Sequence, residues 1–270
     1  MKADWRSYDA IAERYARVAD PLCFAKPAAD LVSALELASG SRVLDIGTGT
    51  GVVAALASHI VGPTGLVVGL DPAIEMLRGL KKRCNAYPVG GALPSLPHPD
   101  GSFDAVAAAF VLTHVADPGT ALNAMAKTLR PNGRLAASSW AQGESSSPPG
   151  KTWQAVVREF VRDEDLTAAL SEALPSQNQF SDLTSLETAL ARAGLVRIWV
   201  SEATHLIAMT TEAFAELRLI SLSGRFIEAV LSAREWGRFK EEASRRLADT
   251  YGSRVCLEVR ANIAVGSKAG

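Results

Sequence analysis

The chain has 270 residues, 48% of them apolar, enough to bury a substantial core in one elaborated globular unit. Lys plus Arg number 28 against 29 for Asp plus Glu, so no basic excess drives phosphate-backbone binding, and nucleic acid is not an expected partner. The N-terminal stretch MKADWRSYDAIAERY has no apolar signal region, and the longest apolar run, 105–112, is too short to span a bilayer. Cys23, Cys84 and Cys256 form no CxxC pair and read as reduced, buried thiols, so a cytoplasmic protein is expected.

In chain order, Trp5, Tyr8, Ala12, Tyr15 and Ala19 recur at helical spacing and predict an amphipathic helix ending near Asp20-Pro21. A second helix is predicted from Lys26 to Leu37, closed by Ser39-Gly40. Strands follow at 43–46, 66–70, 87–89, 103–112 and 134–140, separated by helical segments, which reads as a parallel sheet. Asp71-Pro72 opens the helix carrying Ile74, Met76, Leu77 and Leu80. Asp117 caps the helix begun by Pro118, and Pro131-Asn132-Gly133 separates that helix from the fifth strand. Beyond Trp140, Gly143 to Gly150 (GESSSPPG) reads as a link into a helix over 152–170. Then come a helix at 183–193, a strand from 195 running on toward Met209, helices at 212–222 and 233–251, and a last strand at 257–265. The helices between the final two strands read as an insertion over one face of the sheet. One domain is expected, with a helical cap over 1–40, a core over 41–142 and acceptor-side elements over 143–270.

The stretch VLDIGTGTG, Val43 to Gly51, sits where the first strand hands over to a helix, at the sheet edge where ligands bind in such folds. Gly47, Gly49 and Gly51 let the main chain turn sharply and approach a ligand without intervening Cβ atoms. The spacing is D-x-G-x-G-x-G rather than the dinucleotide G-x-G-x-x-G, and Asp45 precedes the first glycine by two residues. At the end of the second strand, Asp71 in LVVGLDP is placed to accept hydrogen bonds from both hydroxyls of a ribose and would repel a 2′-phosphate. The ligand read from these residues is a nucleoside without phosphates at the loop. A helix-capping role for Asp71 is compatible with ribose binding.

VLDIGTGTG, VVGLDPAIEML, LPHPDGSFDAV, FVLTHVADP and LRPNGRLAASSW, in this order, resemble the successive motifs of class I S-adenosylmethionine-dependent methyltransferases, in the small-molecule branch that includes ubiquinone and menaquinone biosynthesis enzymes. The resemblance covers about Tyr8 to Trp140, with a weaker tail. It implies an α/β, Rossmann-like, seven-stranded, mostly parallel sheet with its last strand antiparallel, and S-adenosylmethionine as cofactor, leaving S-adenosylhomocysteine as product. It implies that Asp45, Gly47, Thr48 and Gly49 hold the methionine end, with Gly51 completing the loop, and that Asp71 holds the ribose. Pro72 and Met76 would line the adenine, Ala109 and Phe110 would border the methionine portion, and Tyr15 would lie on a helix folded over the cofactor. The family often has an acid after its third strand to bond the adenine amine. Alignment places Ala92 there, leaving the Leu93 backbone N–H as a donor; one lost hydrogen bond is worth about 0.5–1.5 kcal/mol, too little to abolish binding.

Methyl transfer needs alignment and exclusion of water more than acid-base machinery, and a base only for an unionised acceptor. His114, after the fourth strand, is the candidate base or a structural shelf; His205 is a second group within reach of an acceptor. His59 complements a helix dipole, and His98 reads as a solvated turn. Trp140 is expected to floor the acceptor site, with Phe214, Leu217, Phe226 and Trp236 as apolar walls, which points to a small lipophilic or aromatic acceptor methylated on O, C or N. A cofactor-binding cyclase or noncatalytic module, and a nicotinamide dehydrogenase, are the competing readings. The acceptor's identity and the oligomeric state are left open by the sequence.

Overall fold

The computed structural model describes residues 4–141 and 147–270. Seven strands form one sheet in the order β3-β2-β1-β4-β5-β7-β6. They are β1 (Arg42–Ile46), β2 (Leu66–Asp71), β3 (Tyr87–Gly90), β4 (Phe103–Ala109), β5 (Leu129–Trp140), β6 (Leu195–Thr210) and β7 (Arg254–Lys268). β7 runs antiparallel to both β5 and β6, and the neighbouring pairs among β1 to β5 are parallel, as expected.

Strand alternation divides the core. Leu44 and Ile46 pack on one face against α5 (Pro118–Thr128) and α8 (Leu183–Arg192), through Leu122, Met125, Leu186 and Leu190. Val43 faces the other way, toward α2 (Ala25–Ala34), α3 (Val52–Val61) and α4 (Ile74–Arg83), meeting Leu31, Val53 and Leu80. A third cluster lies on the far halves of β6 and β7, which pair with each other well beyond the residues of β7 that pair with β5. There Ile207, Met209 and Val259 meet α6 (Pro148–Phe160), α9 (Thr211–Ile220), α10 (Leu222–Val230) and α11 (Ala233–Tyr251) through Trp153, Phe214, Ile227 and Phe239. The insertion between the last two strands, together with α6 from before β6, thus has its own core on this hairpin.

Several expectations are corrected. The first helix does not stop at Asp20-Pro21: α1 (Ala12–Ala19) widens into a π-helical turn, Asp20–Phe24, that runs into α2. Asp20 N–H donates to the Tyr15 carbonyl five residues back, and Ala25 N–H to that of Asp20. Pro21 has no N–H to give, and the wider turn takes it without ending the helix. The helix expected over 152–170 is two, α6 and α7 (Asp163–Ala173), because Val161 and Arg162 are extended and Asp163, Glu164 and Asp165 favour a new helix N-terminus. α10 had no sequence-based counterpart. The fourth strand ends at Ala109, before Phe110, whose φ is 56°. Of the expected link at Gly143–Gly150, residues 142–146 lie outside the described residues, while Ser147 caps α6 by accepting from Gly150 N–H. Cys23 is buried as expected, but Cys256 is exposed. Among the described residues no helix is long and apolar enough to cross a membrane.

Candidate active site

The glycine loop opens onto a cleft of about 600 Å³ at the carboxyl edge of β1, β2 and β4. Gly47, Gly49 and Gly51 all have positive φ, but their surroundings differ. A Cβ on Gly47 would lie 2.6 Å from Val111, and one on Gly51 2.4 Å from Leu80, so these two allow the loop to pack on its neighbours. A Cβ on Gly49 would meet nothing within 4 Å. That bare position faces space a ligand can use.

Two carboxylates hold the loop. Asp71 is buried; its Oδ2 accepts from Gly49 N–H and its Oδ1 from Ala73 N–H, both at 2.9 Å. A carboxylate has about four lone-pair directions, so each oxygen can accept one further hydrogen bond from the cleft. Asp45 accepts from the Thr48 hydroxyl at 2.6 Å, and burial pushes its carboxyl up to about 7.

Across the cleft stands a continuous run of rings. His114 meets Tyr8 edge-on at 5.8 Å, Tyr8 meets Tyr15 at 6.0 Å, and Tyr15 stacks on Phe24 at 5.4 Å. Phe24 contacts both Phe110 and Trp140, which stack on each other at 4.0 Å. The chain before α1 is pinned to the core by Asp9, whose Oδ1 accepts from Glu75 N–H at 2.8 Å and caps α4. Burial, with the Arg225 guanidinium nearby, lowers the His114 imidazole to about 4, so at neutral pH the ring is uncharged.

Of the residues singled out by sequence, Tyr15, Asp45, Gly47, Thr48, Gly49, Asp71, Pro72, Met76, Ala109, Phe110, His114, Trp140, Phe214 and Leu217 line this one cleft. Gly51 stands behind the loop against Leu80; Ala92 is exposed and bridges to Ser95, and Leu93 packs on the sheet core. His205 is turned away from the cleft: its Nε2 lies 2.7 Å from Asp30 Oδ2 on α2. Phe226 packs on Trp5, and Trp236 stacks on Phe239 inside the insertion, so neither is a cleft wall. His98 is not a solvated turn; its ring packs edge-on against Phe103 at 5.2 Å. His59 lies exposed in the last turn of α3, as expected.

Sequence reasoning missed Tyr8, Asp20 and Phe24. Asp20 lines the cleft at 3% exposure, accepting from the Thr50 hydroxyl and pairing with Arg83 at 2.5 Å. Its signal was an acid at an otherwise apolar position of a helix, masked by Pro21, which reads as a stop. At the insertion end the lining mixes apolar Leu170, Leu174, Phe214, Leu217, Ile220 and Leu257 with the polar Arg218, Ser221, Ser223 and Glu258.

The family described as methyltransferase domain matches residues 44–137. Over 104 residues the chain is 42% identical to the ubiquinone/menaquinone biosynthesis C-methyltransferase UbiE of Pseudomonas putida, a match covering 36% of this chain and 41% of that protein. The chain spans less than half the length of the curated relatives it matches. Its fold is similar to that of the YcgJ protein from Bacillus subtilis, with a TM-score of 0.55 at 21% identity over 91% of this chain and 99% of that one. It is also similar to the Haemonchus contortus phosphoethanolamine N-methyltransferase 2 solved with S-adenosylhomocysteine, with a TM-score of 0.54 at 16% identity over 91% and 53% of the two chains. At such identities these structural likenesses are likenesses of fold.

Proposed function

We propose that this chain transfers a methyl group from S-adenosylmethionine to a small lipophilic or aromatic acceptor, a reading supported by the match of residues 44–137 to a methyltransferase domain and by a fold similar to that of a methyltransferase. The observation that carries the reading is the bond from Gly49 N–H to Asp71 Oδ2 at the edge of an open cleft. It sets a bare backbone and a carboxylate with spare lone pairs side by side, as a nucleoside requires.

The residues present fit that group. Asp71 is the partner for the ribose hydroxyls, Pro72 and Met76 flank the base, and Asp45, Gly47 and Thr48 border the amino-acid end. Ala109 and Phe110 stand where the sulfur would pass, and that sulfonium supplies the methyl group when bound. Phe110 and Trp140, stacked on each other, give a flat apolar surface with Phe24 set at an angle to it, and Leu170, Leu174 and Leu217 line the far side. That lining favours a lipophilic or aromatic acceptor over a highly polar one. His114, neutral and buried beside Tyr8, serves this chemistry better as a rigid wall than as a base: a group with a pKa of about 4 is poorly matched to taking a proton at pH 7.

Isothermal calorimetry with S-adenosylhomocysteine and with NAD tests the reading. The expected result is binding of the former only, weakened about tenfold or more in Asp71→Ala while thermal unfolding stays cooperative. Binding of NAD alone would overturn the methyltransferase function, and an unchanged affinity in Asp71→Ala would overturn the placement of the ribose.

A further inference from the structure

We propose that Asp20, presented by the π-helical turn, is the anchor for the α-amino group of the methyl donor; the inference rests on the methyl-donor reading of the cleft. The turn is wound one residue wider than an α-helix, and Asp20, Cys23 and Phe24 within it all reach the cleft lining. Single π-turns inside α-helices concentrate at functional sites, since the irregular backbone costs stability that a regular helix would keep.

Asp20 has the environment of a positioned group. Its Oδ2 takes both contacts, from the Thr50 hydroxyl and from Arg83, while Oδ1 takes no hydrogen bond from either. Thr50 directly follows Gly49, so the carboxylate is keyed to the same loop that Asp71 holds from the other side. A plain structural ion pair explains Arg83, which is not part of the lining, but not the place of its buried acid in the cleft wall. What the cleft meets is a buried carboxylate with a spare oxygen, and the chemistry that satisfies it is a compact cation with several N–H donors, such as a primary ammonium. Arg83 fixes the carboxylate and offsets the cost of burying it before a ligand arrives.

The test crosses a ligand change with a residue change. Calorimetry is run with S-adenosylhomocysteine and with its desamino analogue, in which hydrogen replaces the α-amino group, on the unaltered protein and on Asp20→Asn. The unaltered protein is expected to bind the parent ligand about tenfold to a hundredfold more tightly than the analogue, and Asp20→Asn is expected to collapse that ratio to about threefold or less. A ratio unchanged in Asp20→Asn would overturn the assignment. If Asp20→Asn does not fold, Thr50→Val, which removes only the hydroxyl that orients the carboxylate, takes its place: a reduced ratio supports the anchor and an unchanged one overturns it. Failure of the unaltered protein to bind S-adenosylhomocysteine would instead overturn the underlying methyl-donor reading.

Discussion

Asp45 and His114 line the same cleft, and burial moves their pKa values in opposite directions, each toward its uncharged form. His114 falls from the ordinary 6.5 to about 4 on folding, so between those values the unfolded chain binds a proton that the folded chain does not, and stability drops as the pH falls. Asp45 rises from 3.8 to about 7, so the folded chain holds the extra proton and stability drops as the pH rises. Across pH 4 to 6.5 the two slopes oppose each other, each worth up to about 1.4 kcal/mol per pH unit. Relative to the parent, Asp45→Asn is therefore expected to gain stability with rising pH across this window, and His114→Gln to lose it. Urea unfolding at pH 4.5, 5.5 and 6.5 measures both, and slopes of the reverse sign would refute the assignment of these shifts. At this scale the sequence was most informative where function is written into contiguous residues. Asp45, the glycines and Asp71 stand in two short motifs, and they meet because β1 and β2 are neighbours. Asp20 reaches the site only through a widened turn and a long-range pairing with Thr50, neither of which leaves a local pattern.

Among the elements, those with a clear period and a marked end were legible. The helix predicted at 233–251 is α11 residue for residue, started by a reciprocal pair in which the Ser232 hydroxyl accepts from Glu235 N–H and the Glu235 carboxylate accepts from Ser232 N–H. α10 was not legible because SLSGRF carries a glycine in its first turn, which local propensity treats as a break. The structure gives the reason for that glycine: a Cβ on Gly224 would stand 2.2 Å from the Arg218 carbonyl oxygen and 2.5 Å from that of Leu219. The corner between α9 and α10 is held there by Ser221, which donates to the Arg218 carbonyl at 2.6 Å and accepts from Gly224 N–H. Gly224→Ala is accordingly expected to destabilise the protein by about 1–3 kcal/mol, since rigid backbone cannot yield as a side-chain tip would. Gly237→Ala, within α11 and with nothing within 4 Å of its Cβ position, is expected to be stabilising by about 0.4–1 kcal/mol. Chemical denaturation of the pair separates a tight corner from ordinary helix propensity; equal effects would show that Gly224 is not needed for packing.

Across the whole molecule, the chain before α1 closes a circuit between parts built separately, the sheet core and the insertion. Asp9 ties it to α4, while α10 holds it from the other side: Arg225 donates to the Ser7 carbonyl at 2.6 Å and lies over the Tyr8 ring, and Trp5 packs against Phe226. Arg6 reaches Glu172 on α7 at 2.6 Å. No sequence period announces this, because each contact joins residues more than sixty positions apart. Arg225 is 6% exposed, and its Nε and Nη2 have no hydrogen-bond partner, so the guanidinium is costly to bury and serves position rather than stability. Arg225→Met keeps the length and the apolar contact but removes the charge and the bond to Ser7. The expected outcome is global stability equal to or above that of the parent, together with faster amide hydrogen exchange over 5–11 and unchanged exchange in β1 and β4. Because Tyr8 lines the cleft, affinity for S-adenosylhomocysteine is expected to fall in the same variant. If exchange instead accelerated evenly through the sheet, Arg225 would be a stabilising group and the circuit would have no separate existence. If 5–11 loosened while affinity held, the segment would be tied down by α10 without contributing to the ligand's enclosure.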